Sequence, residues 1–249
     1  PKVFRQSLAR IEQLGVPTSG FGVLFDRRGA PVMSFGVERE GSEEPGVVRH
    51  GSMVANGPAG KPILNMGQEQ WDQLKALAER GVSPDALRTY HHKKLGHAIQ
   101  VLGHELAHHA LEQPRHEYIA GEAQAIRSLH ESGLPTRPMG AKDDVPYSRE
   151  NKDVKDLLNY THESLADGVG VQLAWGFRAQ AALAMGQPRE MARNEYQAQL
   201  TERATYGYVP ARKDKDLVRG PLEVPSAATN PLTPWAQRVV DSIVPRLVW

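Results

Sequence analysis

The chain has 249 residues, 40% hydrophobic and 24% charged, with a formal net charge of +1 and no cysteine. A near balance of charge gives no electrostatic footprint for nucleic acid. The lack of cysteine excludes disulfides, thiolate metal sites and cysteine nucleophiles, so any metal must be held through nitrogen and oxygen. No run of about eighteen apolar residues is present, which argues against a membrane-spanning helix.

The chain opens with PKVFRQ, with neither an initiator methionine nor a charged-then-apolar leader. The expectation is a processed product or a domain of a larger protein. Residues 1–14 have the pattern of a short helix. In GFGVLFDRRGAPVMSFGVE, two apolar runs flank Asp26-Arg27-Arg28-Gly29, the pattern of a β-hairpin. Residues 37–60 read as loop with a short strand at GVVRH. KPILNM reads as a further strand, and as an edge against which an extended peptide would pair.

From Gly67 the period changes to helical. QEQWDQLKALAER spaces Trp71, Leu74, and Leu77 or Ala78 along one face and stops at Gly81. Ser83-Pro84-Asp85 starts another helix with a capping hydroxyl, a first-turn proline and an acid at the positive end. The pattern then runs, with a break near His91, to Gln113, where Pro114 ends it. A helix fits residues 116–131, and residues 133–150 read as loop. A long helix is expected over 151–185, stopped by Gly186 and Pro188. Another follows over 188–204. Residues 206–234 carry five prolines and precede a last helix from Thr233, interrupted by Pro245. The fold class expected is α+β, predominantly helical: one domain with a β-rich part (1–66), a helical part (67–205), and a proline-rich segment with a C-terminal helix (206–249).

Four of the ten histidines fall within residues 104–116, interleaved with glutamates. His104-Glu105-Leu106-Ala107-His108 matches H-E-x-x-H. Positions four apart on an α-helix differ by only about 40° in direction and one turn in height, so two imidazoles can grip one metal ion. The glutamate after the first histidine then faces the metal's open position as a base for water, and zinc is the expected ion. On the same helix Leu95, Ile99, Leu102 and Leu106 form an apolar stripe. The histidine side therefore either lines a cleft or faces water, and its uncharged flank, VLGHELAHHA, favours the cleft.

A catalytic zinc site takes three protein ligands. Leu111 and Pro114 stand where the short-spaced metzincin pattern needs glycine and histidine. The third ligand is then sought among Glu163, Glu122, Glu117, His116 and His162. Glu163, in NYTHESLADGVG, has Asp167 one turn later, and a helix carrying both can supply a ligand and a carboxylate for a ligand's outer N–H. Glu122 sits on a polar helix face, where a glutamate is ordinarily solvated. Gly168 and Gly170 mark either a close helix crossing or a helix break. His97 and His91-His92 read as surface residues, and His109 as packing at the edge of the leucine stripe.

HELAH followed by ESLAD resembles the gluzincin zinc peptidases, whose pattern is H-E-x-x-H and then E-x-x-x-D on a later helix. The resemblance covers about ten residues. It implies a zincin-like fold with a small antiparallel β region, zinc held by His104, His108 and Glu163, Glu105 as general base, and Asp167 as the partner of His104. It also implies an oxyanion-stabilising residue downstream, a role open to Tyr196, Tyr206 or Tyr208. A protein or peptide substrate follows. A zincin core within otherwise unfamiliar sequence raises a further expectation, a bacterial effector or toxin domain. It would be secreted or delivered by a secretion system, with a larger delivery protein or a cognate immunity protein as partner. The rival expectation is a non-catalytic helical binding domain with a structural metal or solvated histidines.

Overall fold

The computed structural model describes residues 2–24, 34–37, 51–54, 63–112, 152–206 and 233–249. Over these residues the chain is predominantly helical, with one small sheet. Helix α1 spans Lys2–Gln13. Its Phe4, Leu8 and Ile11 recur at helical spacing and are buried. The Ser7 hydroxyl, also buried, donates to the Leu74 carbonyl 2.9 Å away. The Phe4 ring meets Trp71 edge-on, with centroids 5.1 Å apart. Together these contacts fasten α1 to helix α2, Gln68–Arg80.

Three four-residue strands follow α1: β1 (Ser34–Val37), β2 (Gly51–Val54) and β3 (Ile63–Met66). Strand β3 is central. It pairs parallel with β1, Ser34 opposite Ile63, and antiparallel with β2, Gly51 opposite Met66. Alternation sends Leu64 and Met66 into the core, both fully buried.

Three expectations for this region are corrected. Ser19–Leu24 is a 3-10 helix, not the first arm of a hairpin, and Asp26–Gly29 lie outside the described residues. The sheet is mixed rather than antiparallel, because β1 runs parallel to its neighbour. The strand expected at GVVRH lies outside the described residues, and Gly51–Val54 directly after it is a strand. ILNM is the middle strand, with both edges already paired, so it offers no edge to a peptide.

The helical expectations hold where the structure describes them. Ser83 caps α3 (Pro84–Arg88), its hydroxyl accepting from the Ala86 N–H at 3.2 Å. The chain breaks at Thr89–Tyr90 and restarts as α4, His92–Glu112. Helices α5 (Lys152–Ala184), α6 (Arg189–Tyr206) and α7 (Thr233–Ile243) follow. Gly186 ends α5 with φ +92°, a left-handed conformation open to glycine at little cost. The expected helix over 116–131, the loop at 133–150 and the proline-rich segment lie outside the described residues.

Helix α4 is the organising element, packed against α2, α5, β2, β3 and the 3-10 turn. Its stripe Leu95, Ile99, Leu102 and Leu106 is at most 1% exposed. Helix α5 crosses it antiparallel: Gly96 faces Arg178, and Gly103 faces Gly170. Among the described residues no helix is long and apolar enough to cross a membrane.

Candidate metal centre

The two motif histidines stand one turn apart on α4, and both are half-buried. Their rings are nearly perpendicular, 78° between planes, with centroids 4.8 Å apart. The two Nε2 atoms converge to 3.1 Å. Two nitrogens each about 2.05 Å from a tetrahedral zinc would stand about 3.3 Å apart. The pair is therefore already near the spacing that one ion requires. The same spacing lets one ring's N–H donate to the other's bare nitrogen when no ion lies between them.

The burial of Glu105 bears on the two faces the sequence left open. It is only 7% exposed. A carboxylate on a solvated helix face would not be covered in this way, and burying one is costly unless its surroundings make use of it. Leu106 and Ala107, the next two positions, are also buried. The histidine side of α4 is thus partly enclosed. His97, seven residues before His104, is exposed, and so is His91, whose Nδ1 lies 3.4 Å from the Lys94 N–H at the start of α4.

Helix α5 packs on α4 beside Gly103 and the His104 backbone. A Cβ added at Gly103 would stand 2.9 Å from the Gly170 Cα, and one added at Gly170 would stand 3.1 Å from the His104 nitrogen and closer still to the Gln100 carbonyl. Only paired glycines let the two backbones approach this far. Gly168 faces the other way, against Val240 of α7, where an added Cβ would meet Cγ2 at 3.0 Å. Neither glycine breaks the helix; of the two readings, the close crossing is the one found, at Gly170 on α4 and at Gly168 on α7.

Asp167, half-buried, lies against the same turn of α4: the Gln100 amide Nε2 is 3.5 Å from Asp167 Oδ1. Gln100 precedes His104 by one turn, so both share a face. Glu163 lies on α5 one turn before Asp167. Positions 163, 167 and 170 recur at helical spacing, which puts position 163 on the α5 stripe directed to α4. With Gly103 opposite Gly170 and the helices antiparallel, that position comes level with the turn just after His108. The side chains of Glu163, His162 and His109 lie outside what the structure describes, as do Glu122, Glu117 and His116 altogether. Among the described residues no third histidine or carboxylate joins the pair in a metal-holding group.

Tyr196 is corrected as an oxyanion candidate. It is 2% exposed, its hydroxyl accepts from the Leu247 N–H at 3.3 Å, and its ring packs on Trp249. It fastens the C-terminal residues to α6. The Tyr206 side chain and Tyr208 lie outside the described residues. Gln100 and Gly103 belong to no motif. Their only signal in the sequence is spacing, Gln100 one turn before His104 and Gly103 immediately before it.

No protein-family model, curated protein or solved structure matches this chain.

Proposed function

We propose that the chain is a zinc-dependent peptidase of zincin-like type, with the metal held by His104, His108 and Glu163. The observation that carries this reading is the pair of Nε2 atoms converged to 3.1 Å beside a covered Glu105. An accidental H-E-x-x-H on a wet helix has no reason to bury its glutamate. Imidazole and carboxylate donors suit zinc, and no thiolate is available to compete.

When bound, zinc would supply Lewis acidity toward the scissile carbonyl. The chain's own contribution is proton transfer and enclosure. The Glu105 carboxylate takes a proton from the attacking water as the C–O bond forms. It then delivers that proton to the amide nitrogen as the C–N bond breaks. Leu102 and Leu106, buried on the core side of α4, flank Glu105, which is itself covered. Asp167 stands on the face of α5 that meets the histidine helix, suited to receive an imidazole N–H and fix the ring that donates it.

Zinc stoichiometry on the purified chain, beside Glu163→Ala and Glu122→Ala, tests the ligand set. One zinc per chain, lost with Glu163→Ala alone, is the expected result. Loss with Glu122→Ala alone would move the third ligand to Glu122. Absence of zinc from every sample, even after zinc is added back, would favour a second reading: a non-catalytic helical domain in which His104 and His108 hydrogen-bond each other. The specific support for that reading is the same 3.1 Å separation, which is also hydrogen-bond distance.

A further inference from the structure

We propose that Gln100, which no part of the H-E-x-x-H pattern includes, is a positioning residue of the metal site, acting through Asp167. The inference rests on the metal reading above.

Gln100 meets α5 twice. Its main-chain carbonyl lies against Gly170, closely enough that a methyl group there would clash with it. Its side-chain amide reaches back along α5 to the Asp167 carboxylate, 3.5 Å away. One residue of α4 thus faces both ends of the α5 turn that packs beside His104. The crossing fixes the backbone separation, and the amide then fixes where the carboxylate sits within it.

The choice of side chain matters. Glutamine offers two N–H donors and no charge. A lysine or arginine there would form an ion pair with Asp167 and compete with an imidazole N–H for its oxygens. A glutamate would repel it. A neutral donor on one oxygen holds the carboxylate in place without neutralising its charge. The half-buried setting of both residues strengthens the contact relative to one in water.

The test is a double-mutant cycle on zinc affinity, measured by competition with a chromophoric chelator, with the unfolding midpoint of the metal-free protein recorded for each variant. Alanine is a better helix former than glutamine, so Gln100→Ala should leave α4 intact. Removing an outer partner of a ligand costs about 10–100-fold in metal affinity, and a residue acting through that partner should cost about 3–10-fold. Gln100→Ala is expected to weaken zinc by that amount in the native background and to add nothing on top of Asp167→Ala. Gln100→Glu should weaken zinc more than Gln100→Ala.

Equal losses in both backgrounds would overturn the proposal, because Gln100 would then act independently of Asp167. So would unchanged zinc affinity with a lowered midpoint, which is the signature of a packing role alone. If the unmutated chain takes up no zinc, the metal reading fails and this proposal with it. If it takes up zinc and Gln100→Ala does so equally well, only the proposal fails.

Discussion

Helix α5 meets α4 through backbone and meets α7 through side chains. At the α4 crossing Gly103 and Gly170 let backbone meet backbone, with a Leu173 methyl beside them, and His104, Gln100 and Asp167 gather around the contact. Two positions further along, on the opposite face, Gln172 is 3% exposed and its amide donates to Asp241 Oδ1 at 2.9 Å and to the Val244 carbonyl. Gln237 donates to the Gln172 side-chain Oε1 at 3.2 Å and to Asp241 Oδ1 at 2.7 Å, and the Arg246 guanidinium lies 3.2 Å from that Asp241 oxygen. At the α7 contact the polar groups satisfy one another, which is the condition for burying them cheaply. At the α4 contact two imidazole nitrogens converge on one point beside a covered carboxylate. A closed network stabilises a fold. Two imidazole nitrogens converging on one point form the arrangement a metal site would use.

That contrast can be broken from either side. The largest effect is expected at the α4 face. Glu105→Gln should retain zinc and lose about 100- to 10,000-fold in peptide hydrolysis, the range for removal of a general base. Turnover of a quenched peptide library, with zinc measured on the same sample, checks it. A fully active variant would remove the chemistry from this face.

Gly170→Ala should come next. The added methyl meets the Gln100 carbonyl and stands 3.1 Å from the His104 nitrogen. Overpacking of this kind costs about 1–3 kcal/mol. Backbone is the obstacle here, so the helices must part, and zinc affinity should fall together with the denaturant midpoint. Gly168→Ala meets only a valine methyl at 3.0 Å, which can give way. It should cost less and leave zinc binding unchanged.

At the α7 face Gln172→Ala strands donors and acceptors of the network, at a cost of about 1–3 kcal/mol for buried groups left without partners. The unfolding midpoint should drop while zinc stoichiometry stays the same. Loss of zinc together with a normal midpoint would mean that the two faces are coupled more tightly than their chemistry implies.

The smallest effect concerns Tyr196. Burial raises its pKa above the ordinary 10.0, with the hydrogen bond from Leu247 pulling the other way. The folded state therefore disfavours the phenolate. The stability linked to this group is fully present below pH 10 and is lost as pH rises through the raised value. Tyr196→Phe should cost about 0.5–1.5 kcal/mol near neutrality, for one hydrogen bond, and reduce the alkaline loss. Urea titrations of both proteins across the alkaline range check the sign.

The helices were legible because their signals are local. Ser83-Pro84-Asp85, the stop at Gly81, the break before His92 and the stop at Gly186 depend on capping, proline geometry and left-handed glycine, all set within a few residues. The sheet was legible only in part. ILNM reads as a strand from its short, mostly apolar run, but nothing in four residues states whether neighbours will flank it on one side or two, or in which direction they run. Strand pairing is decided by segments far apart in the chain, as the parallel match of Ser34 to Ile63 illustrates. GFGVL has an apolar run that suits a strand, yet Gly20 is held against the Ile243 carbonyl, a contact from the far end of the chain, and the segment coils as a 3-10 turn.

The candidate site divides along the same line. Helical periodicity alone puts His104 and His108 on one face with Glu105 beside them, because positions four apart must neighbour each other on any α-helix. It could not decide whether that face is wet, nor that Gly170 is a crossing point and Tyr196 a fastening for the C-terminal residues. Burial belongs to whichever element lies on top. Beside Gly103 that element is α5, brought within backbone contact of α4 by two glycines sixty-seven positions apart in the chain. Spacing along one helix is a property of the sequence, whereas enclosure is a property of two helices and exists only once they pack.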